Sequence, residues 1–451
     1  ASGRTHPPGR WSLFPFCKSA TCRYASPHDV RGMREECVES ALSKGLAVIA
    51  VSVWLSPLAF ALPAGEGESL VREHCSSCHR PEILDRAQGY NTLSEWRQLM
   101  ATMVALDEPR ADIIARYLAK HFQSKPELYP TLVAGPVEIE IEEWMVPTLG
   151  QRSRDPVETP DGAIWWTGMW ASLVGRLDPL TGAFREYPLP ASARPHSIVP
   201  DDEGAIWYLG NSNGTVGKLN PLTGEIREYQ TGLADPHTGV FHPNGYFYFT
   251  AQHTGAVARL DPATGDVLSM NTSPRPYGIK VGPDGYLYVA FNGENAIGQV
   301  HPTTLEVNYL PIPHEDTRIR RLDIASDGTI WYVNSSRGKI GHLDPRTGEV
   351  REWDSPSGPK SHPYAIAVID DVVWYNESGQ RPDALVRFDP AAETFQSWAI
   401  PSGIGIIRHV WVTQNKDLLI HQSSSNRIGR IKVIEDQTEA VTVEETDIAG
   451  G

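Results

Sequence analysis

The run Cys75-Ser76-Ser77-Cys78-His79 carries the most specific chemistry in this sequence. Two thiols three positions apart lie on one side of a helical turn, so each can form a thioether to one vinyl group of a porphyrin. The histidine that follows then faces the iron as an axial ligand. A C-x-x-C pair can also be a redox dithiol or half of a zinc site. Zinc needs further ligands at short spacing, and no second cysteine pair follows. The spacing therefore predicts one covalent haem c on Cys75, Cys78 and His79.

Helices must position such a group, and residues 62–122 read as a small all-α haem domain. Glu66 to His74 leads into the motif, and Ser94-Glu95 opens a segment with Trp96, Leu99, Met100 and Met103 at helical spacing. Asp107-Glu108-Pro109 is a helix start, followed by an apolar stripe of Ile113, Ile114, Tyr117, Leu118 and Phe122. From Cys75 to Phe122 the chain resembles small bacterial cytochrome c domains. That resemblance implies a methionine as sixth iron ligand, and Met103, in its Thr-Met turn, matches better than Met100. Without haem, either methionine is core filler.

The compartment is read from what lies upstream. Residues 1–32 show no periodicity and read as a non-native or upstream extension. Met33 is a more natural start, and Gly45 to Phe60 is an apolar run ending in Ala59-Phe60-Ala61, an A-x-A cleavage signal. The run is shorter than the about 20 residues of a membrane span and is broken by Ser56-Pro57. A signal peptide over 33–61 is expected, with a retained anchor as the alternative. Its removal takes Cys17, Cys22 and Cys37 and leaves the C-x-x-C pair, which suits an oxidising compartment. The mature chain is expected to be periplasmic or secreted, with no membrane span. A formal net charge of -15 argues against nucleic acid as a partner. Gln123 to Pro136 holds three prolines without periodicity, so 123–137 reads as a semi-rigid linker.

The rest of the chain repeats itself. Leu177-Asp178-Pro179-Leu180-Thr181-Gly182 recurs around Asn220, Asp261, His301, Asp344 and Asp389. The steps of about 40 to 45 residues are the period of a four-stranded propeller blade. In each D-P-x-T-G turn, Pro fixes φ and Gly supplies the positive φ. A second mark, as in Asp161-Gly162-Ala163-Ile164-Trp165, is a tight hairpin followed by an aromatic strand. The aromatic strands centre on Trp165, Trp207, Tyr248, Tyr288, Trp331, Trp374 and, weakly, Leu419, which makes seven blades over residues 138–435. Blade seven lacks a good outer strand, and Glu140 to Pro147 resembles one; the two ends of the chain are expected to close the ring. Residues 436–451 read as an acidic tail. The fold class is thus multidomain, an all-α cytochrome c-like domain followed by an all-β seven-bladed propeller.

The repeats R-P-[HY]-x-I, D-G-x-I-W, x-I-G-[RK]-L and E-Y-x-L-P resemble the virginiamycin B lyase family, here as Arg194-Pro195-His196-Ser197-Ile198 and Ile340-Gly341-His342-Leu343. The resemblance implies ester opening by elimination, in which one His takes the proton beside the carbonyl and a second helps hold the substrate; the matching positions are His196 and His237. It also implies Mg²⁺ on two carboxylates. Asp235 matches one; the other has no counterpart in Ala251-Gln252-His253, and Glu377 lies at a similar place in another blade.

Aligning the blades puts one residue of each at the start of its innermost strand: Arg154, His196, His237, Tyr277, Arg320, Tyr364 and Arg408. Such a cationic, aromatic ring suits a carboxylate, a phenolate or another polar organic molecule. The bland alternative is a ring that satisfies channel backbone and water. Three functions follow: an exported electron carrier whose propeller binds a small substrate or redox partner, a C–O lyase, and a binding propeller without turnover. As an enzyme the chain would be a lyase or a haem-linked oxidoreductase.

Overall fold

A computed structural model describes residues 62–76, Leu84, 90–123, 125–403 and 405–434. The expected signal peptide, Cys78, His79 and the acidic tail lie outside the described residues.

Three helices open the described chain: α1 (Glu68–Cys75), α2 (Leu93–Ala101) and α3 (Glu108–His121). Gly67, at φ 105°, precedes α1, and a Cβ there would lie 2.8 Å from Tyr117 Cβ. The glycine therefore lets α1 cross α3 closely. The second helix starts from Thr92, not Ser94. Thr92 Oγ1 accepts from the Glu95 backbone N–H, and the Glu95 carboxylate accepts from that of Thr92, a reciprocal cap that Ser94 does not make. Asp107 caps α3. Val71, Trp96, Met100, Ile114, Tyr117, Leu118 and Phe122 form the helical core. Among the described residues no helix is long and apolar enough to cross a membrane.

Seven four-stranded antiparallel sheets follow as a closed propeller. Blade one runs outward from the axis through Ser153–Glu158, Ile164–Gly168, Leu173–Asp178 and Ala183–Pro188. In its outer turn Asp178 Oδ1 accepts from the backbone N–H groups of Leu180 and Thr181, and Gly182 takes φ 70°. The glycine of x-I-G-[RK]-L has a different cause. A Cβ on Gly175 would meet the Trp166 ring at 2.0 Å, one on Gly217 the Tyr208 ring at 2.0 Å, and one on Gly341 the Tyr332 ring at 2.1 Å. Each glycine lets the aromatic of the neighbouring strand lie flat across it. The strand Glu138–Met145 pairs with Arg427–Ile434 from Glu138 opposite Ile434 to Met145 opposite Arg427, and supplies the outer strand of blade seven. The innermost strand of that blade is short, Trp411–Val412.

The segment read as a linker is tied to blade six. Ser397 Oγ accepts from Val133 N at 2.8 Å, Ser397 N donates to Val133 O at 2.9 Å, and Arg381 N donates to Leu128 O at 2.7 Å. The α2 end reaches blade one, where Gly150 N donates to Thr102 O at 3.0 Å. Between α2 and the propeller lies a cavity of about 530 Å³ whose walls include Tyr90, Glu95, Leu99, Ser402, Ser425 and Arg427. Ser402 and Ser425 sit on loops at the end of the propeller where the innermost strands begin. The helices therefore rest on that end, over blades six and seven.

Candidate active site at the channel mouth

Five of the innermost strands, those of blades one, two, three, four and six, are entered through a residue with positive φ. Arg194 (43°), Asp235 (62°), Arg275 (62°) and His362 (54°) each precede a proline. A residue before proline is barred from the right-handed helical region, and the proline fixes the next φ, so the strand starts at a set angle. Directly afterwards the pairing slips, between Pro195 and Ile198, Pro236 and Gly239, Pro276 and Ile279, and likewise in blades one, five and six. Such an irregularity breaks the alternation of the strand and turns neighbouring side chains toward the axis.

The slips bring the seven predicted residues into one ring. Arg154 Nη2 donates to His196 Nε2 at 2.5 Å. The His196 ring lies 3.7 Å from that of His237, which lies 3.9 Å from that of Tyr277. The Tyr277 and Tyr364 hydroxyls are hydrogen-bonded, and the guanidiniums of Arg320 and Arg408 lie 4.3 and 5.9 Å from the centre of the Tyr364 ring. Arg154, His196, His237, Tyr277 and Tyr364 are buried, while Arg320 and Arg408 are half-buried and reach the surface.

Beneath the ring, Arg321 Nη1 donates to Thr238 Oγ1 at 3.1 Å, and Thr238 Oγ1 is 2.9 Å from His237 Nδ1. Arg321 Nη2 lies 3.4 Å from Asp155, whose carboxylate also stands 3.7 Å from His196 Nδ1. A cavity of about 240 Å³ continues down the channel past Thr238, Arg321 and His409. Arg154 Nε, Arg320 Nε, His196 Nδ1 and His409 Nε2 are buried here without hydrogen-bond partners. They are donors or acceptors that a ligand or water would satisfy.

The electrostatics follow from burial among arginines. Burial, then Arg154 and His237, holds His196 well below the ordinary imidazole range. Burial, then Arg321, Arg154 and Arg320, does the same to His237. Both imidazoles are neutral at pH 7. Burial works to raise Tyr364, but Arg320, Arg408 and Arg154 outweigh it and bring the phenol down to about 8; its partner Tyr277 is pushed up to about 12 by burial and by Tyr364.

At the rim, Asp235 is buried with an oxygen 3.2 Å from Nδ1 of the exposed His253, and Asn211 Nδ2 donates to the carboxylate. Burial raises Asp235 to about 6, partly offset by His253 and Arg154.

Residues 137–260 and 263–446 match the model of the virginiamycin B lyase family. The chain belongs to this family. Its propeller is similar to a streptogramin B lyase structure, at 22% identity and TM-score 0.60 over 66% of this chain and 98% of that one. It is equally similar to selenomethionine-substituted virginiamycin B lyase from Staphylococcus aureus, at 21% identity and TM-score 0.60 over 66% of this chain and all of that one. A catalytically inactive variant of the S. aureus enzyme with quinupristin gives 21% identity and TM-score 0.59 over the same shares. At these identities the likeness shows the fold. No curated protein matches the chain.

The Mg²⁺ implied by resemblance to the virginiamycin B lyase family does not fit these residues. Asp235 faces an amide and an imidazole, and position 252 is a neutral Gln. A hard cation of this kind wants an octahedron of oxygens with more than one anionic donor. Among the described residues no three His, Cys, Asp or Glu side chains gather as a metal site. Glu377 is no substitute, because its carboxylate is buried and accepts from Ser355 Oγ at 2.6 Å and Ser357 N at 2.9 Å. It supports a loop.

The residues expected around a haem are described in part. Cys75 ends α1, half-buried against the helical core. Met103 is half-buried in the turn after α2, where its N–H donates to Met100 O, and Met100 is buried in the core. The indole N–H of Trp96, in the same core, is buried without an acceptor among the described residues.

The sequence did not reveal Arg321, Thr238, Asp155 or Asn211. The first three directly follow ring residues, and period-2 alternation assigns them to the opposite face. For Thr238 the signal is the repeated proline entry, which marks where alternation fails; the strands of Arg321 and Asp155 slip without a proline at their entry.

Proposed function

We propose that the mouth binds a small organic ester carrying an anionic or strongly polar group and opens its C–O bond by elimination. The observation that carries this reading is the buried, neutral His237, held between the tilted rings of His196 and Tyr277 inside a ring of arginines. The tautomer that donates Nδ1–H to Thr238 leaves the Nε2 lone pair to take a proton from the carbon beside a carbonyl. Thr238 Oγ1 has lone pairs for both His237 and Arg321. The electron pair of the C–H bond becomes the new double bond, and the C–O pair leaves with oxygen. Arg320 and Arg408 are the accessible cations for the anionic group or the enolate oxygen. Burial, Arg321, Arg154 and Arg320 suppress protonation of His237 while no anion is bound. A bound anion would cancel part of that field and raise the proton affinity of the base as substrate arrives. Linearisation of a cyclic depsipeptide ester, followed by mass, tests this reading. Ring opening by the parent chain and its loss in His237→Ala support it; an intact ring after prolonged incubation rules it out.

A second reading rests on the Cys75-Ser76-Ser77-Cys78-His79 run, whose Cys75 packs half-buried against the helical core. The helices would hold one covalent haem c through Cys75, Cys78 and His79, with Met103 as the sixth ligand, and the haem would supply one-electron transfer. Export to an oxidising compartment belongs to this reading. A peroxidase stain of the denatured protein, matured in cells able to attach haem c, decides it: a colourless band at the right mass ends the idea.

A further inference from the structure

Two loops meet at the rim beside His237. Gln252 N donates to Asp235 O at 2.9 Å, and Ala234 N donates to Thr254 Oγ1 at 2.7 Å. These bonds hold Asp235 and His253 face to face. One carboxylate oxygen of Asp235 accepts from Asn211, and the other stands 3.2 Å from His253 Nδ1. The Asp235 side chain is 5% exposed and that of His253 is 70% exposed. His253 Nε2 has no hydrogen-bond partner among the described residues. An imidazole with one nitrogen fixed by a buried carboxylate and the other open to solvent is the geometry of proton transfer. His196 and His237 are enclosed by contrast, at 3% and 2% exposure. The other ionic groups acting on this pair are Arg154, which lowers Asp235, and His237, whose proton affinity His253 lowers.

We propose that Asp235 and His253 form the solvent-open proton-transfer pair of this mouth and take the place of a divalent cation. The chemical role rests on the lyase reading above; the replacement of the metal does not. In the elimination, His237 receives the proton from carbon, and the leaving oxygen, with the electron pair of the broken C–O bond, takes a proton from His253 Nε2–H. Exchange with solvent returns a proton to His253 and removes one from His237, so the cycle balances without a co-reactant.

The full-length chain is tested with Mn²⁺ as an electron-spin probe and with ¹⁵N-labelled histidine. Wild type is expected to leave Mn²⁺ in its free aqueous form, and the His253 ring nitrogens are expected to shift in Asp235→Asn. One Mn²⁺ retained per chain and released by Asp235→Asn overturns the proposal, as do His253 nitrogens indifferent to that change. With the depsipeptide ester, His253→Gln is expected to slow ring opening about 100-fold or more, a typical loss for a proton-transfer group, and a chelator is expected to change nothing. Opening abolished by the chelator overturns the proposal. If wild type opens no ester, the lyase reading fails, and the Mn²⁺ and nitrogen measurements still decide whether the pair stands in for a metal.

Discussion

Arg154 Nη2 and His196 Nε2 stand 2.5 Å apart, both almost removed from solvent. A guanidinium can only donate, so this contact makes His196 an acceptor at Nε2 and places its proton on Nδ1, toward Asp155. Ring geometry and protonation state are thus one property. His196→Ala would leave a buried guanidinium short of an acceptor, at a cost of about 1–3 kcal/mol in folding stability. Urea unfolding measures it. His196→Gln, which restores an acceptor, should recover part of the loss; if alanine is as stable as wild type, the contact contributes nothing.

Tyr364 should ionise unusually early. A phenol titrates near about 10 in water, and among Arg320, Arg408 and Arg154 it falls to about 8. The folded chain therefore releases this proton more readily than the unfolded chain. The resulting stability grows as pH rises from about 8 to about 10 and is lost as pH falls through about 8. Ultraviolet difference spectra should show one phenolate appearing near pH 8, absent in Tyr364→Phe and moved upward in Arg320→Met. No early phenolate in wild type would contradict the arrangement of charge described here.

Gly217→Ala should be more damaging than its size suggests. The added methyl would meet the Tyr208 ring, whose hydroxyl donates to Glu228 at 3.0 Å. Overpacking of this kind costs about 1–3 kcal/mol, and calorimetry should register a lowered melting temperature. Gly182→Ala, where a Cβ meets nothing within 4 Å, suffers only from its φ of 70°. Equal losses at the two positions would show that backbone angle, not ring contact, explains the glycines.

Ser397→Ala removes the side-chain acceptor for Val133 N and the donor to Thr131 O. Limited proteolysis should then cut within residues 125–137 well before the propeller yields, because most of that stretch is exposed and the Ser397 side chain holds it at two points. An unchanged digestion pattern would mean that the backbone bonds to blade six suffice.

Much of the propeller was legible because its marks do local work. Asp178, Gly182 and Gly175 each solve a problem within a few residues or on the adjacent strand, so spacing alone gave seven blades and the closing partner for Arg427–Ile434. The seven ring residues were reachable by counting to the same place in each blade. Arg321 and Thr238 were not, since the slip at the start of the innermost strand cancels the alternation by which faces are assigned. The meeting of Asp235 with His253 and Asn211 escaped notice for another reason. It joins loops of two blades, and no single repeat contains it. The attachment of 125–137 to blade six was hidden similarly, since its partners lie more than two hundred residues away.

The three helices rest on the end of the propeller that carries the arginine ring, over blades six and seven. Among the described residues, anything entering the mouth therefore meets an asymmetric doorway, walled by helices on that flank. His253, 70% exposed on blade three, stands away from that wall. Size discrimination at this protein would then belong to the wall as much as to the ring, and trimming α2 should widen the range of molecules admitted without altering a single group that touches them.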